Sequence, residues 1–401
     1  MTALAPVAGE LAPADRRKRT GRAHRFLRGL LRTGVHLLAV MFFVSIGTFM
    51  LLEFVPGDPA VAVLGPDATP QQYDEVRAEL GLDRPLPQRY ADWLGDAVQG
   101  DFGSSLRPPV RDVSGIIMSR LPVTLEIAGL AIAMALAMAI PLALWSASQS
   151  GGPGDQAVSA TAYGLISIPN FLAALILIFF FVFRPDLVRT FVFAAGLLIA
   201  VGMLARRVPR VRREHPEDRL RSMGAGVAGA VAVAGIAGLL FLSWPDFPRQ
   251  GFVRWTDAPN KLDNLRSVFL PAFTLALIEA AIFFRVLRND LVTTLQEDFV
   301  LAARARGMPR RHILLREALR PSSFSLVTVA GVSLGRLIGA AVIVEAVFRL
   351  PGLGSMMVDA VAANDFRVVQ GGVLAISILY VLLNLTVDSL YKLLDPRIRR
   401  V

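Results

Sequence analysis

The sequence predicts an all-α protein that crosses a membrane several times, and three observations support this. Of its 401 residues, 54% are hydrophobic and only 18% are charged, whereas a soluble domain carries about 25% charged residues. The apolar residues form runs of about twenty, the length of a helix that crosses a hydrocarbon layer about 30 Å thick. Arginines cluster between alternate runs, as expected for loops on one side of a membrane. The fold class is an all-α polytopic membrane protein.

Eight apolar runs are long enough to span the membrane. They lie at about residues 34–55, 121–147, 158–183, 188–205, 223–243, 268–287, 322–347 and 371–391. The first is longer than a signal-peptide core and lacks a small-residue cleavage site, so we interpret it as a retained membrane anchor. In the fifth run, small residues recur at every fourth position and predict close packing against another helix; they are Gly226, Ala230, Ala234 and Gly238.

Loop charge predicts that both termini are cytoplasmic. The tail 1–33 and the segments 206–221 and 288–320 are rich in arginine, whereas residues 56–120 are rich in acids. Basic loops tend to stay in the cytoplasm, and eight spans place every informative loop on its expected side. A count of seven would misplace at least one basic segment. The net charge of +10 is therefore explained by topology and does not indicate a nucleic-acid partner.

Residues for catalysis are missing from the sequence. There are no cysteines, and none of the three lysines follows a glycine, so a GxxxxGK[ST] phosphate-binding loop is absent. The four histidines are scattered without the spacing of metal ligands. We expect no catalytic residues, no metal, no cofactor and no ATP site in this chain.

Three carboxylates lie inside predicted spans: Glu126, Glu279 and Glu345. A charge at the centre of a bilayer costs about 2.5–3.5 kcal/mol on insertion scales, so each needs an explanation. One interpretation is that they are helix-end or interhelical hydrogen-bonding groups. The other is that they line a pore, and an ion-coupled carrier would use such groups near the midplane.

The segment 293–321 predicts two short amphipathic helices joined by a sharp turn on the cytoplasmic side. Strong helix formers precede Gly307, which can adopt the left-handed conformation that ends a helix, and Pro309 suits the first turn of the next helix. Such a basic element could lie on anionic lipid or dock on a soluble partner. Ala302 and Ala303 favour docking because small residues permit close approach.

At this loop the sequence resembles a known family. The spacing of Ala302, Ala303 and Gly307 is similar to the E-A-A-x-x-x-G coupling loop in the permeases of binding-protein-dependent ABC importers, although Leu301 stands where the pattern has its acid. Five further stretches resemble the dipeptide, oligopeptide and nickel branch of that family. They are VPGDPA (55–60), LGLDRPLPQRYADWLGDAVQGDFGSS (80–105), RLPVTLEIA (120–128), VIVEAVFRLPGLGSMMVDAV (342–361) and LLDPRIR (393–399).

The resemblance implies a type I ABC importer transmembrane fold with six core helices plus an inserted helix pair. The expected organisation is a cytoplasmic basic tail (1–33), three core spans with an external loop (34–183), the inserted pair (184–262) and three core spans with the coupling loop (263–401). The implied partners are a second homologous permease chain, two cytoplasmic ATP-binding subunits that hold ATP and Mg, an external solute-binding protein and membrane lipid.

The implied function is to form half of the pore through which dipeptides or oligopeptides are imported across a bacterial inner membrane. Nickel or another small solute, an ion-coupled secondary carrier and a membrane scaffold are the alternatives. Docking to the ATPases is expected at Ala302, Ala303, Arg304, Gly307 and Met308. Turn motifs that shape the outer face, or that only form turns, are expected at Gly57, Asp58, Pro59, Pro351, Gly352 and Gly354.

Overall fold

The structure, a computed structural model, describes residues 34–35, 38–50, 59–65, 68–79, 81–211, 216–245, 247–248, 251–257 and 260–394. The tail 1–33, the turn residues Gly57 and Asp58 and most of the motif 393–399 lie outside the described residues. The helices are α1 (Leu38–Met50), α2 (Pro59–Leu64), α3 (Pro70–Glu79), α4 (Leu86–Val98), α5 (Val113–Ser148), α6 (Pro153–Ile166), α7 (Asn170–Ile178), α8 (Pro185–Val211), α9 (Pro216–Leu242), α10 (Lys261–Thr294), α11 (Asp298–Ala305), α12 (Arg310–His312), α13 (Leu319–Phe348), α14 (Leu353–Ala362) and α15 (Phe366–Leu394).

Apart from the break at 167–169 and the last residue of the run 223–243, the eight predicted spans are helical where they are described, which confirms the all-α class. Within the described residues, five helices are long and apolar enough to cross a membrane, and a bent pair brings the number to six. The apolar stretches Leu38–Met50 and Val227–Leu242 are shorter, so the count of eight stays a prediction. The basic segment 206–221 is largely helical, because α8 runs to Val211 and α9 begins at Pro216.

The predicted span 158–183 is not one straight helix. Its two halves, Pro153–Ile166 and Asn170–Phe183, meet at an angle of 106°. Pro169 lies at the break and has no backbone N–H to continue the helix, and a proline also disfavours helical conformation in the residue before it. The second half ends in a π-helical turn, Phe179–Phe183. The run 158–183, predicted as one span, therefore consists of two helices joined at a sharp bend.

One compact unit contains the described residues up to Ser114 together with Asn364–Ser389. In it, the ring of Phe49 on α1 contacts Tyr90 and Trp93 on α4, with ring centroids 5.5 and 5.8 Å apart. Edge-on and tilted aromatic contacts of this kind add to the stabilisation from burial alone. They attach α4 to α1.

Within the same unit, Asp365 ties the chain before α5 to the start of α15. Its carboxylate accepts hydrogen bonds from the hydroxyl of Ser105 and from the backbone N–H of Leu106, the latter at 3.2 Å. A third bond comes from the N–H of Val368 at 3.4 Å, in the first turn of α15. A carboxylate in this position stabilises a helix N-terminus by capping its free N–H groups.

The other unit contains Gly115–Ala363 and the described residues from Leu390 onward. Its core is built on a row of fully buried alanines along α5, which share a cluster with buried residues of α10 and α13. Small side chains at four-residue spacing let helices approach closely. The central helix is α10, which packs against α6, α7 and α13. The row consists of Ala131, Ala135, Ala139 and Ala143.

Helices α8 and α9 pack along each other, which confirms the predicted packing of the run 223–243. The contact face centres on the buried residues Ala230 and Ala237. Of the predicted row, Ala230 is buried and a Cβ at Gly238 would contact the ring of Phe193 on α8, while the surroundings of Gly226 lie outside the described part of the chain. Opposite the contact face on α8, a Cβ added at Gly196 would overlap the Cβ of Ala237.

Candidate functional site

The loop between α10 and α13 contains α11 and a sharp turn at Gly307. Gly307 has φ +74°, the left-handed conformation predicted from the sequence. Its N–H donates to the carbonyl of Arg304 at 2.9 Å, and the N–H of Met308 donates to the carbonyl of Ala303 at 3.2 Å. These two bonds form a Schellman motif, which satisfies the last carbonyls of a helix.

A small cluster inside the loop holds α11 in place. Val300, Ala303 and Ile313 are buried together, with Leu295 and Met308 packed against them. Ala303, which we expected to be a docking contact, is thus an internal support for the loop, because its methyl group is completely covered. The expected docking residues Ala302, Arg304 and Gly307 are exposed, and Met308 is partly buried.

Helix α11 carries two large apolar side chains that are half-exposed in the described chain, one on each side of Ala302. Phe299 is 45% exposed and Leu301 is 50% exposed, and both are close to the exposed Ala302. Apolar residues grouped on a short polar loop are typical of a protein contact surface. Phe299 was not among the predicted docking residues, although a phenylalanine directly after Asp298, the acid that opens the helix, was a usable signal.

We expected a second short helix beyond Gly307. The structure instead has the start of a long helix of membrane-spanning length there. Arg310–Phe348 is one helix of 39 residues that comprises α12, a π-helical turn (Ile313–Ala318) and α13. Pro321 lies three residues after that turn. A proline clashes with the carbonyl four residues earlier in an α-helix, and a wider π turn commonly absorbs such a misfit.

Two contacts connect the loop and the start of this helix to their surroundings. The guanidinium of Arg310 donates to the carbonyl of Ser148 at the end of α5. Arg304 on α11 donates to the carbonyl of Leu295 at 3.3 Å. A cleft of about 660 Å³ lies between the α5–α6 turn and the loop. The loop is therefore joined to α5 and α10 as well as to α13.

A buried ion pair, which the sequence analysis missed, joins α6 to α10 near the same end. Arg288 donates from Nε and Nη2 to the two oxygens of Asp155, at 2.9 and 2.6 Å. Asp155 is buried and also accepts from the hydroxyl of Ser146 and from the N–H of Gly151. Two parallel bonds from one guanidinium fix both distance and orientation.

Glu345 is fully buried and caps the N-terminus of α14. Its carboxylate accepts from the N–H groups of Gly354 and Ser355, at 2.7 and 3.2 Å, and from the hydroxyl of Thr124 on α5 at 2.6 Å. The oxygen of Thr124 in turn accepts from the N–H of Leu353 at 2.9 Å. Of the two interpretations of this carboxylate, the structural one therefore fits: it is an interhelical hydrogen-bonding group.

The predicted turn residues Gly352 and Gly354 allow the start of α14 to lie directly against α13. A Cβ at Gly352 would overlap the carboxylate of Glu345, and a Cβ at Gly354 would overlap the backbone Cα of Val342. Pro351 stands just before this turn, and Pro59 begins α2 in the other unit. The stretches 120–128 and 342–361, singled out separately in the sequence, thus meet at one buried carboxylate.

The other two carboxylates differ from each other. Glu126 is partly buried beside Asn264 at the start of α10. Glu279 is buried, and both of its oxygens accept from Nη2 of Arg336 on α13, at 2.9 and 2.8 Å. The exposed member of this pair is Arg336, which the sequence analysis did not select. Glu279 itself does not lie on a surface of the chain.

The described residues thus form a bundle of apolar helices, several of them long enough to span a membrane, with an exposed loop between α10 and α13. The chain belongs to the family described as "Binding-protein-dependent transport system inner membrane component", which matches residues 139–400. Residues 26–128 match the companion family "Binding-prot-dependent transport system membrane comp, N-term". The predicted family and the type I ABC importer fold are thereby confirmed, and the chain is a multi-pass membrane protein.

Similar proteins cover almost the whole chain. A putative peptide transport system permease protein of Brucella abortus is 31% identical over 372 residues, which are 92% of this chain and 98% of that protein. A probable peptide ABC transporter permease protein of Sinorhizobium fredii is 30% identical over 370 residues, with the same coverage. The dipeptide transport system permease protein DppB of Escherichia coli is 29% identical over 363 residues, 89% of this chain and 94% of that protein.

Proposed function

We propose that this chain is a permease subunit of an ATP-driven importer of dipeptides or oligopeptides and forms half of its translocation pore. The names of the similar proteins support the peptide substrate, and the family description supports dependence on an external solute-binding protein. ATP and Mg would be held by two cytoplasmic ATP-binding subunits, and a second homologous permease would complete the pore. Both termini would lie in the cytoplasm, as the arginine-rich loops favour.

One observation carries the coupling role. Helix α11 buries Val300 and Ala303 inside the loop while it exposes Phe299, Leu301 and Ala302. A short helix that offers an apolar face from a firm internal support suits docking into a groove on a partner. We assign this face to the ATP-binding subunits, and the Schellman turn at Gly307 sets its angle.

Movement of the loop would reach the spans through its covalent and hydrogen-bonded connections. The helix that continues as α13 begins at Arg310, three residues after Gly307, and Arg310 binds the end of α5. Closure of the ATP-binding subunits would shift these helices together and switch the pore between inward-open and outward-open states. An ion-coupled carrier is less well supported, because Glu279 is held by Arg336 and is not a free carboxylate.

The test is to tag the chain, extract it in mild detergent and identify what co-purifies with the native chain and with Gly307→Val. A β-branched residue is strained at φ +74° at a cost of about 1–3 kcal/mol, so the turn should open and the ATP-binding subunits should be lost. Gly307→Asn is the matched control, since asparagine tolerates this conformation and should retain the complex.

Recovery of two ATP-binding subunits and a second permease with the native chain and with Gly307→Asn, but not with Gly307→Val, would support the proposal. Equal recovery with both variants would refute the docking role of the turn. A chain that purifies alone and still moves solute in liposomes without ATP would refute the importer itself.

A further inference from the structure

One face of α13 stays exposed along the middle of the span. Val332, Arg336, Gly339 and Ile343 lie on it, three or four positions apart. Arg336 is the charged residue of this face and stands twelve residues before the helix end at Phe348, a distance of about 18 Å along the axis. This is close to mid-depth in a hydrocarbon layer about 30 Å thick.

The pairing of Arg336 leaves part of its guanidinium available. Only Nη2 is engaged, by both oxygens of Glu279 and by Ser333 at 3.1 Å, so Nε and Nη1 have no hydrogen-bond partner within the described residues. The Arg336 side chain is 55% exposed although Glu279 is buried. One turn away, no atom lies within 4 Å of a Cβ built at Gly339. The pair therefore presents oriented donors to open space.

Lipid does not suit this face. Exposed N–H donors at mid-bilayer are costly unless water, a ligand or another protein satisfies them. Nε and Nη1 point in different directions, so each can give a carboxylate one charge-assisted hydrogen bond, and the carboxylate of Glu279 fixes the position of the guanidinium. A peptide in transit carries such a group at its C-terminus.

We propose that Arg336, positioned by Glu279, is a carboxylate-binding residue in the translocation pathway and contacts the C-terminal carboxylate of a peptide. This inference rests on the proposed function. The competing explanation is that Arg336 only holds α13 to α10 or to the second permease. Such a structural role would make no distinction between a peptide acid and its amide.

The test uses the assembled transporter in proteoliposomes with ATP, and trialanine and trialanine amide as labelled substrates. The variant is Glu279→Gln/Arg336→Gln, which removes both charges and leaves no buried carboxylate unpaired. Uptake of each peptide is expressed as the ratio of variant to native, so the preference of the binding protein cancels. Arg285→Gln, which removes an exposed arginine elsewhere on α10, is the matched control.

We expect trialanine uptake to fall by roughly tenfold, the effect of one lost charged hydrogen bond, while the amide ratio changes by less than about twofold. Equal losses for both peptides, or no loss, would overturn the inference. If the native transporter takes up neither peptide in the presence of ATP, the proposed function fails and the inference fails with it.

A charge exchange gives an answer that does not depend on uptake of the amide. Glu279→Arg/Arg336→Glu keeps an ion pair between the helices but presents a carboxylate to the pathway. The proposal predicts that the complex still assembles, as judged by co-purification, and that trialanine uptake is lost. Native-like trialanine uptake by this variant would show that the pair is only structural. If the Glu279→Arg/Arg336→Glu chain does not assemble, the inference is judged from the uptake ratios of Glu279→Gln/Arg336→Gln.

Discussion

Replacement of Gly354 by alanine tests whether α14 owes its position to the buried carboxylate of Glu345. A Cβ at this position would overlap the Cα of Val342 and lie 2.9 Å from its Cβ and 3.0 Å from Oε2 of Glu345. Because the overlapped atom belongs to the backbone, no side-chain rotation can relieve the clash. Helix α14 would have to move away from α13 by roughly 1.5 Å to restore ordinary contact distances.

That movement would lengthen the bonds from the N–H groups of Gly354 and Ser355 to the carboxylate. Hydrogen bonds to a charged group contribute about 1.5–3 kcal/mol each, and overpacking costs about 1–3 kcal/mol. We therefore expect the variant to lose about 4 kcal/mol of unfolding free energy. For a unit of this size, that loss corresponds to a melting temperature lower by about 8 °C or more.

The assay is thermal unfolding of the purified transporter in detergent, native against variant. Gly339→Ala is the matched control on α13, because no atom lies within 4 Å of its added Cβ and alanine is the better helix former. Its melting temperature should stay level or rise slightly. A Gly354→Ala variant that melts within about 2 °C of the native protein would refute the account of this cap.

Two further changes test other contacts. Asp155→Asn should lower the unfolding free energy by about 3 kcal/mol, because it removes one member of the buried pair with Arg288. Asp186→Asn, in an exposed pair, should cost less than about 1 kcal/mol, and equal melting of both variants would contradict the reasoning. Gly196→Val should separate α8 from α9 and speed tryptic cleavage between them. Gly202→Val adds its side chain in open space, so the same cleavage rate for both valine variants would argue against tight packing.

Features that depend on neighbouring residues were predictable from the sequence. The length of the apolar runs located the helices, since a hydrocarbon layer sets how many residues a span needs. The turn at Gly307 was predictable too, because few residues other than glycine adopt a positive φ. The coupling loop could be located because both signals occur in one short segment.

Partners distant in the sequence could not be predicted. Thr124 and Glu345 are 221 positions apart, and Asp155 and Arg288 are 133 apart. Three span carboxylates looked alike in the sequence, because their roles depend on how each helix is rotated about its axis. One caps α14, and another forms the ion pair with an arginine that was not selected.

The effect of proline was equally ambiguous. Pro169 stands at the sharp bend before α7, whereas Pro122, Pro141 and Pro271 lie inside continuous helices. Proline is tolerated in a membrane helix where neighbouring groups satisfy the freed backbone carbonyl. Tertiary surroundings therefore decide between a bend and a continuous helix, and a single sequence does not contain them.

The unbroken helix from Arg310 to Phe348 has a geometric consequence. At 39 residues it is a rod about 58 Å long. A pivot of 5° about its middle would move its two ends by about 2.5 Å in opposite directions. Arg336, nearer the middle, would move by about 0.9 Å, roughly a third of the displacement at either end. Opening of the pore at one membrane face and narrowing of the pore at the other would then result from a single movement of this helix as a rigid body.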